Sequence, residues 1–159
     1  MTGVRQAALL LFAVSGSLLL GAVGFQYLGG LAPCEMCFWQ RYAHLAVLAV
    51  AALAILTGRR ALGWLAVLAM AVAAGLALYH AGVEQKWWAG VTACTAPVGA
   101  GMSTADMMDA LLNAPLTRCD EIPWSLLGLS MAGWNALISA GAALCGAAVL
   151  LFTAPRRNR

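Results

Sequence analysis

The sequence predicts an all-α integral membrane protein that folds as an up-down bundle of four transmembrane helices. Apolar residues make up 63% of the 159 residues, charged residues make up 9%, and the mean hydropathy is +0.85, values far from those of soluble domains. Segments long enough to cross a hydrocarbon core about 30 Å thick predict spans over residues 7–28, 37–57, 61–83 and 125–152. The second span includes Arg41, which we expect at the headgroup level. The whole chain is therefore expected to form a single membrane domain.

The first span resembles the start of a secretory signal peptide, because Arg5 precedes an apolar run. Its uncharged run of 19 residues is longer than the usual apolar region of about 7 to 15 residues. Val23-Gly24-Phe25 also makes a poor cleavage site. We therefore expect a retained helix, and the other three spans keep their orientation in either case.

Short connections join the first three spans. Two glycines and Pro33 break helical structure in the first outer loop, residues 29–36, and Thr57-Gly58-Arg59-Arg60 forms a tight turn on the other side. The second outer loop, residues 84–124, is the only sizeable segment outside the membrane, and it is too short to make a substantial core of its own.

The second outer loop is expected to contain a short amphipathic helix. Ser103-Thr104-Ala105-Asp106 resembles a capping box, and the apolar and polar residues that follow it suit one helix that ends before Pro115. This helix is expected either on the membrane surface or packed on the bundle. An aromatic belt is expected near the same interface, formed by Trp39, Trp87, Trp88 and Trp124.

The charged residues separate by side of the predicted bundle. All six acidic residues fall on the side of the two outer loops, whereas six of the nine basic residues fall on the opposite side. The positive-inside rule makes that opposite side cytoplasmic. We therefore expect a multi-pass protein of a bacterial inner membrane, with both termini cytoplasmic and the outer loops periplasmic. Because the basic residues are dispersed in ones and twos, we expect no nucleic-acid interface. The six cytoplasmic-side residues are Arg5, Arg59, Arg60, Arg156, Arg157 and Arg159.

Four of the five cysteines lie in the outer loops or directly beside them: Cys34 is in the first loop and Cys37 follows it at the start of the second span, and Cys94 and Cys119 are in the second loop. Thiols in an oxidising compartment are expected to pair. Three connectivities are possible, but the two-residue gap favours pairing within the first loop and leaves the second-loop cysteines for each other. Cys145 lies deep in the fourth span and is expected to act as a small apolar residue in helix packing.

The first-loop pair is predicted to be redox-active. A disulfide that closes so short a ring constrains the unfolded chain little, and a Cys-x-x-Cys motif at a helix start favours thiol exchange. A purely structural role suits the second-loop pair better. A zinc site would prefer two close pairs, and covalent c-type haem requires histidine where Phe38 stands, so no metal is expected.

Arg41 and His44 share a helical stripe with Cys37. The guanidinium of Arg41 could stabilise a thiolate and donate hydrogen bonds to a carbonyl oxygen of a lipid-soluble acceptor, or it could simply anchor the helix. His44 could contact a neighbouring helix, face a cavity or assist proton transfer. His80 and Glu84, four residues apart, could relay protons or form an interfacial pair without chemistry. Glu35 places a negative charge beside the thiols.

Several motifs occur together along nearly the whole chain. They are Pro33-Cys34-Glu35-Met36-Cys37 with Gln40-Arg41, the separated Cys94 and Cys119, and Trp124-Ser125-Leu126-Leu127-Gly128-Leu129-Ser130-Met131. In this combination and order, the chain resembles the disulfide bond formation protein B (DsbB) family of bacterial inner-membrane thiol oxidases. The related vitamin K epoxide reductase family carries its quinone-side pair after the loop pair, so the order of motifs disfavours that alternative.

The resemblance implies a protein-disulfide:quinone oxidoreductase. A reduced periplasmic thioredoxin-like oxidase similar to DsbA would pass its electrons through Cys94–Cys119 and Cys34–Cys37 to a membrane quinone, either ubiquinone or menaquinone. Cys37 and Arg41 would face the quinone, and the weaker candidates for that site are His44, His80 and Glu84.

Two other functions are compatible with parts of the sequence. A conduit that passes reducing equivalents outward would need thiols on the cytoplasmic side, and no loop on that side contains cysteine. A membrane scaffold with two structural disulfides would need no redox chemistry at the first-loop pair.

Overall fold

The computed structural model describes residues 3–91, 103–105, 108 and 117–153. Four helices in this part of the chain are long and apolar enough to cross a membrane. This finding confirms the predicted fold class. The helices are α1 (Gly3–Tyr27), α2 (Glu35–Thr57), α3 (Arg60–Glu84) and α4 (Met131–Phe152).

The four helices form a ring in which each helix packs against the next, and α4 closes the ring against α1. The tight turn between α2 and α3 makes them antiparallel. Gly58 ends α2 with a left-handed φ of 66°, and its N–H donates to the Ala54 carbonyl oxygen at 2.9 Å. One end of the bundle, where α2 and α4 begin, is called the cysteine end below, and the opposite end, which carries Arg5 and Arg60, is called the arginine end.

The half of the bundle at the arginine end packs through small and aliphatic side chains. Gly146 on α4 shows how closely the helices approach, because an added Cβ would lie 3.3 Å from the side chains of Leu11 and Val67. Small residues permit such approach where lipid supplies little hydrophobic drive between helices. The fully buried members of this core include Ala7, Ala8, Leu11, Val47, Ala51, Ala54, Ala66, Met70 and Leu150.

The first three helices begin slightly earlier than the uncharged runs predict. α2 starts at Glu35 instead of residue 37, because Cys34 acts as its N-cap and accepts the Cys37 backbone N–H at 3.3 Å. α1 starts at Gly3 instead of residue 7, because Arg5 is itself helical and donates from Nε to the Ile55 carbonyl oxygen at 3.1 Å. A charged residue near a helix end therefore does not mark the boundary.

The fourth helix begins at Met131, which corrects the expectation that the span begins at residue 125. A short hairpin stands there instead, with strands β1 (Ser125–Leu126) and β2 (Leu129–Ser130) paired antiparallel. Leu127 and Gly128 form its turn with φ values of 53° and 79°, the left-handed values that a two-residue hairpin turn of this type requires. Hydropathy alone does not separate such an uncharged hairpin from a helix.

Two predictions concern the outer loops, the amphipathic helix and the aromatic belt. Most of the predicted amphipathic helix lies outside the described residues. Those of its residues that the structure does describe include Thr104, Ala105 and Met108, which are helical. The tryptophans of the expected belt all lie at the cysteine end, and Trp124 packs on Phe25 with ring centroids 4.8 Å apart.

Cys145 is exposed on the outer surface of α4. The expectation that it takes part in helix packing is therefore wrong. The rotation of α4 directs the neighbouring small residues Ala142, Ala143 and Gly146 inward instead.

Candidate redox site at the cysteine end

A cavity of about 300 Å³ opens at the cysteine end. Apolar side chains of α1 form one wall, and residues between Thr117 and Trp124 contribute to the wall near the mouth. The polar lining comes mainly from α2 and α3, with Asn135 from α4. The cavity lining includes six of the residues predicted from the sequence to form the site, namely Cys34, Cys37, Arg41, His44, His80 and Glu84.

Cys34 and Cys37 are free thiols whose sulfur atoms lie 2.8 Å apart. One turn of α2 separates them, so the N-cap position of Cys34 brings its sulfur over the helix start, where the Cys37 N–H donates to it. The hydrogen bond between the two sulfurs raises the pKa of the Cys34 thiol, and burial of Cys34 adds to this increase. The neutral thiol form of Cys34 is therefore favoured.

The two members of the dithiol face different surroundings. Cys34 is buried, with 4% of its surface exposed, and packs in one cluster with Met36, Val83 and Cys119. Cys37 is only partly buried, and both cysteines line the cavity. The pair therefore connects the loop segment that carries Cys119 to the cavity.

Cys119 is fully buried and is part of a disulfide. Cys94, the partner expected from the sequence, lies outside the described residues. The backbone carbonyl oxygen of Cys119 accepts a hydrogen bond from His80 Nε2 at 3.2 Å, and the same nitrogen lies 3.6 Å from the Cys34 sulfur. A single imidazole thus contacts both cysteine-bearing segments.

Ion pairs hold the Cys119 segment on the end of α3. Lys86 Nζ lies 2.5 Å from both the backbone oxygen and a carboxylate oxygen of Asp120, and Arg118 pairs with the same carboxylate at 2.9 Å. These two cations, Arg118 first, lower the pKa of Asp120 well below its usual range. Asp120 is therefore ionised at neutral pH and ties its segment to α3.

Arg41 reaches from α2 to the end of α1. Its Nη1 donates to Gln26 Oε1 at 2.5 Å and its Nη2 to the Ala22 carbonyl oxygen at 3.2 Å, while the guanidinium lies 5.4 Å from the Phe38 ring centroid. Each of these nitrogens carries a second hydrogen. Within the described ranges Arg41 makes no ion pair, so its positive charge at the cavity is not neutralised there by a carboxylate.

A chain of buried hydrogen bonds connects all four helices behind the dithiol. Ser15 Oγ lies 2.7 Å from His44 Nδ1, and His44 Nε2 lies 3.0 Å from Asn135 Oδ1. Asn135 Nδ2 donates to Gln40 Oε1 at 2.7 Å, and Gln40 Nε2 lies 2.7 Å from His80 Nδ1. Among the described residues, no buried side-chain nitrogen or oxygen lacks a partner.

His80 and Glu84 form the pair that their spacing predicts. His80 Nε2 lies 3.9 Å from Glu84 Oε1, and both side chains are buried. Ser130 donates a short hydrogen bond from Oγ to Glu84 Oε2 and accepts the Gly133 N–H at 3.1 Å as N-cap of α4. Glu84 therefore joins the end of α3 to the start of α4. Glu35, in contrast, is exposed in the first turn of α2 and does not line the cavity.

Three of these groups lie close enough to bind a metal ion, because the donor atoms of Cys34, Cys37 and His80 lie within 4.8 Å of one another. A histidine ligand must offer a lone pair to the metal. His80 Nε2 faces a backbone carbonyl oxygen, which accepts its proton and offers none in return. This arrangement favours thiol chemistry over metal binding.

The site contains residues to which the sequence patterns assigned no role. Gln40 lies on the stripe between Cys37 and His44, and Asn135 is a lone amide within an apolar span, which is a signal for a functional or bridging role. Both ring nitrogens of His44 are bonded to protein groups, so its expected contact with a quinone stays a prediction. Ser130 lies within the Trp124–Met131 motif but was assigned no role there, and Ser15 carried no distinguishing signal.

Comparison with known proteins adds independent evidence. The family described as "Disulfide bond formation protein DsbB" matches residues 4–149. A protein named "Disulfide bond formation protein B" from Marinobacter nauticus is 34% identical over 151 residues, which cover 89% of each chain. Proteins of the same name from Saccharophagus degradans and Azoarcus sp. are 32% identical over 138 residues and 31% identical over 159 residues, covering 82% and 93% of this chain and 83% and 92% of the relatives.

Proposed function

Because the chain belongs to the DsbB family of disulfide bond formation proteins, we propose that it oxidises a periplasmic DsbA-like dithiol protein and delivers the electrons to a membrane quinone. The chain is a multi-pass membrane protein with an oxidoreductase role in disulfide formation. The quinone, the partner and the inner-membrane location with cytoplasmic termini are the finer parts of the proposal. Its charge distribution supports that orientation.

One observation supports the proposal most strongly: Cys34 and Cys37 both line the cavity, and the buried Cys34 also packs in one cluster with Cys119. A soluble partner and a lipid-soluble acceptor cannot meet directly. Electrons must therefore pass between a pair that a soluble protein can reach and a pair at the hydrocarbon edge. The dithiol occupies the junction that such a transfer needs.

The internal exchange proceeds by thiolate attack on disulfide sulfur. A partner thiolate attacks Cys94 in the Cys94–Cys119 disulfide, forming a bond to Cys94 and releasing Cys119 as a thiolate. Cys119 then attacks Cys34 in the Cys34–Cys37 disulfide, and Cys37 leaves with the electron pair.

The partner's second thiolate next attacks the partner's first sulfur, which is bonded to Cys94. This step releases the oxidised partner and the Cys94 thiolate. Cys94 then attacks Cys119 and frees Cys34, so that the two electrons end on the Cys34/Cys37 dithiol. A disulfide-bonded Cys119 together with two free thiols at the start of α2 is compatible with this stage of the proposed cycle.

The cavity suits a quinone ring. Its walls are mostly apolar, and a flat ring with two carbonyl oxygens needs hydrogen-bond donors at few points. Arg41 offers N–H groups beyond those bonded to α1, and its charge stabilises negative charge that develops on a carbonyl oxygen. Cys34 and Cys37 would regain their disulfide by giving up two electrons and two protons, which a quinone held in this cavity would take up to become quinol. Ubiquinone and menaquinone present similar carbonyl groups to Arg41.

Replacing Cys37 with serine tests the proposal. With a reduced thioredoxin-like Cys-x-x-Cys protein and a short-chain ubiquinone or menaquinone, quinone reduction by the purified membrane protein is expected to fall to background, because serine cannot form the second disulfide. Cys145→Ser is the matched control, since Cys145 is exposed on α4 far from the dithiol in sequence. Unchanged turnover in Cys37→Ser would contradict a relay through the Cys34–Cys37 pair.

A further inference from the structure

The hydrogen bonds behind the dithiol have a defined direction. Gln40 Nε2 lies 3.4 Å from the Met36 backbone oxygen, and a carbonyl oxygen can only accept. The amide nitrogen of Gln40 must therefore be on this side, where it also meets His80 Nδ1 at 2.7 Å. The amide oxygen then faces Asn135, whose Nδ2 donates to it at 2.7 Å.

A second backbone oxygen selects the same direction independently. His80 Nδ1 accepts from Gln40, so in the neutral ring the proton is on Nε2. Nε2 faces the Cys119 carbonyl oxygen at 3.2 Å, which again can only accept. The reverse tautomer would place a lone pair against this oxygen and an amide oxygen against Met36. Two separate contacts would then be repulsive.

The same logic extends to the middle of α1. With its nitrogen toward Gln40, Asn135 presents Oδ1 to His44 Nε2 at 3.0 Å and to Ser139 Oγ at 2.9 Å. His44 therefore also carries its proton on Nε2, and its Nδ1 accepts from Ser15 Oγ at 2.7 Å. Both histidines adopt one tautomer, and every donor points toward the cysteines.

We propose that Gln40 is a positioning residue for the exchange between the two cysteine pairs: it fixes the His80 ring with its Nε2 proton directed at the Cys119 backbone oxygen and the Cys34 sulfur. This inference rests on the function proposed above. The residues that hold the Gln40 amide in this orientation are Asn135, His44 and Ser15.

The proposed role follows from what His80 contacts. Exchange requires the Cys119 sulfur to approach the Cys34 sulfur in line with the bond that breaks, and the segment that carries Cys119 lies at the edge of the bundle. An imidazole bonded to the Cys119 backbone and 3.6 Å from the Cys34 sulfur aligns the two. Its N–H also stabilises negative charge on Cys34 when that residue is released as a thiolate.

The tautomer can be measured directly in the wild-type protein. The chain has only two histidines, so labelling with ¹⁵N-histidine gives a spectrum of two rings in detergent or lipid. A His80→Gln variant, which retains only His44, assigns the signals. In both rings Nε2 is expected to be protonated and Nδ1 unprotonated. A proton on Nδ1 of His80, or different tautomers in the two rings, would overturn the inference.

The kinetic test compares Gln40→Met with Gln85→Met. The first removes the amide but keeps a side chain of similar length, and the second makes the same change at an exposed position just after α3. A reduced thioredoxin-like Cys-x-x-Cys protein is mixed with each oxidised variant without quinone, and reduction of Cys34–Cys37 is followed by acid quench and mass spectrometry. Gln40→Met is expected to slow this step about tenfold, and Gln85→Met to match wild type.

Steady-state assays with short-chain ubiquinone distinguish the outcomes. If Gln40 acts on exchange, the reduction of Cys34–Cys37 measured without quinone is slowed in Gln40→Met whatever the KM for quinone, because Gln40 also lines the cavity. An unchanged exchange rate, or a raised quinone KM with normal exchange, contradicts the inference. Wild-type protein that reduces neither ubiquinone nor menaquinone would instead contradict the proposed function, and the histidine spectrum would still report the tautomer.

Discussion

The two halves of the bundle are held together by different interactions. At the arginine end, the fully buried side chains are apolar, such as Ala51, Met70 and Leu150. At the cysteine end, the same helices bury His44 and His80, which are 2% and 3% exposed, together with other polar groups, all of them hydrogen-bonded. Dispersion between small residues holds the first half, and directional hydrogen bonds hold the second.

This difference separates two tasks of the fold. Apolar helices can pack against one another in several rotations at similar free energy, because their surfaces are alike. Asn135 is a lone amide on α4 and bonds both Gln40 and His44 on α2. These two hydrogen bonds can form at only one rotation of α4 about its axis. The polar half therefore fixes which helix faces meet, and it does so where the thiols require accurate placement.

The largest effect is expected from breaking the polar half at Asn135. Asn135→Leu leaves the His44 N–H and the Gln40 amide oxygen without partners in an apolar environment, and is expected to lower the free energy of unfolding by about 2 to 4 kcal/mol. Ser139→Ala is the matched control, because it removes one of two donors to Asn135 Oδ1 and is expected to cost less than about 1 kcal/mol. Denaturant titration in detergent measures both, and equal losses would contradict the interpretation.

Overpacking the apolar half is expected to have the next largest effect. In Gly146→Val the new side chain would meet Leu11 and Val67, whereas in Gly141→Val the new Cβ has nothing within 4 Å. Both changes alter helix propensity equally, so their difference reports packing alone. Gly146→Val is expected to be less stable by about 1 to 3 kcal/mol in the same titration. A smaller loss at position 146 than at position 141 would show that the helices separate freely.

Acid is expected to loosen the Cys119 segment rather than the bundle. The ionised Asp120 has a pKa below its unfolded-state value of about 3.9, so its ion pairs add stability above that pH and lose it as the pH falls further. Wild type is expected to melt about 2 °C above Asp120→Asn at neutral pH, since both cationic partners are largely exposed. Thermal melts from pH 7 to pH 2 test this. If the difference in melting temperature between wild type and Asp120→Asn grew below about pH 4, the ion pairs of Asp120 would not be the source of the stability.

The smallest effect is expected at the hairpin turn. Leu127 has a φ of 53°, which strains a leucine more than an asparagine. Leu127→Asn is therefore expected to raise the free energy of unfolding by about 0.5 kcal/mol. Leu126→Asn, in the adjacent strand, is expected to give no such gain. If both variants behave alike, the turn conformation does not carry the strain.

The sequence predicted the bundle well because length and lack of charge determine what crosses a membrane. The predicted start of α4 was wrong for a specific reason. The residues from Ser125 to Ser130 are uncharged, and hydropathy does not report the left-handed φ values of Leu127 and Gly128. Cys145 was misplaced because all four helices are apolar around most of their circumference, so periodicity does not identify an inner face.

The site was predictable where residues share one helix. Spacing alone placed Cys37, Arg41 and His44 on one stripe and paired His80 with Glu84. The contacts of Gln40 and Asn135 could not be obtained in this way, because they depend on the rotation of α4 relative to α2. That rotation results from packing among all four helices.

The hydrogen-bond chain from Ser15 to His80 has one more consequence, which concerns the electrochemical gradient across the membrane. A row of polar groups from the middle of α1 to the cysteine end would be a proton leak if every member could take up and release a proton. Two amides, Asn135 and Gln40, stand between His44 and His80, and an amide does neither at ordinary pH. The chain is therefore continuous for orientation and interrupted for conduction, and its hydrogen bonds give His44 no path for passing a proton to His80.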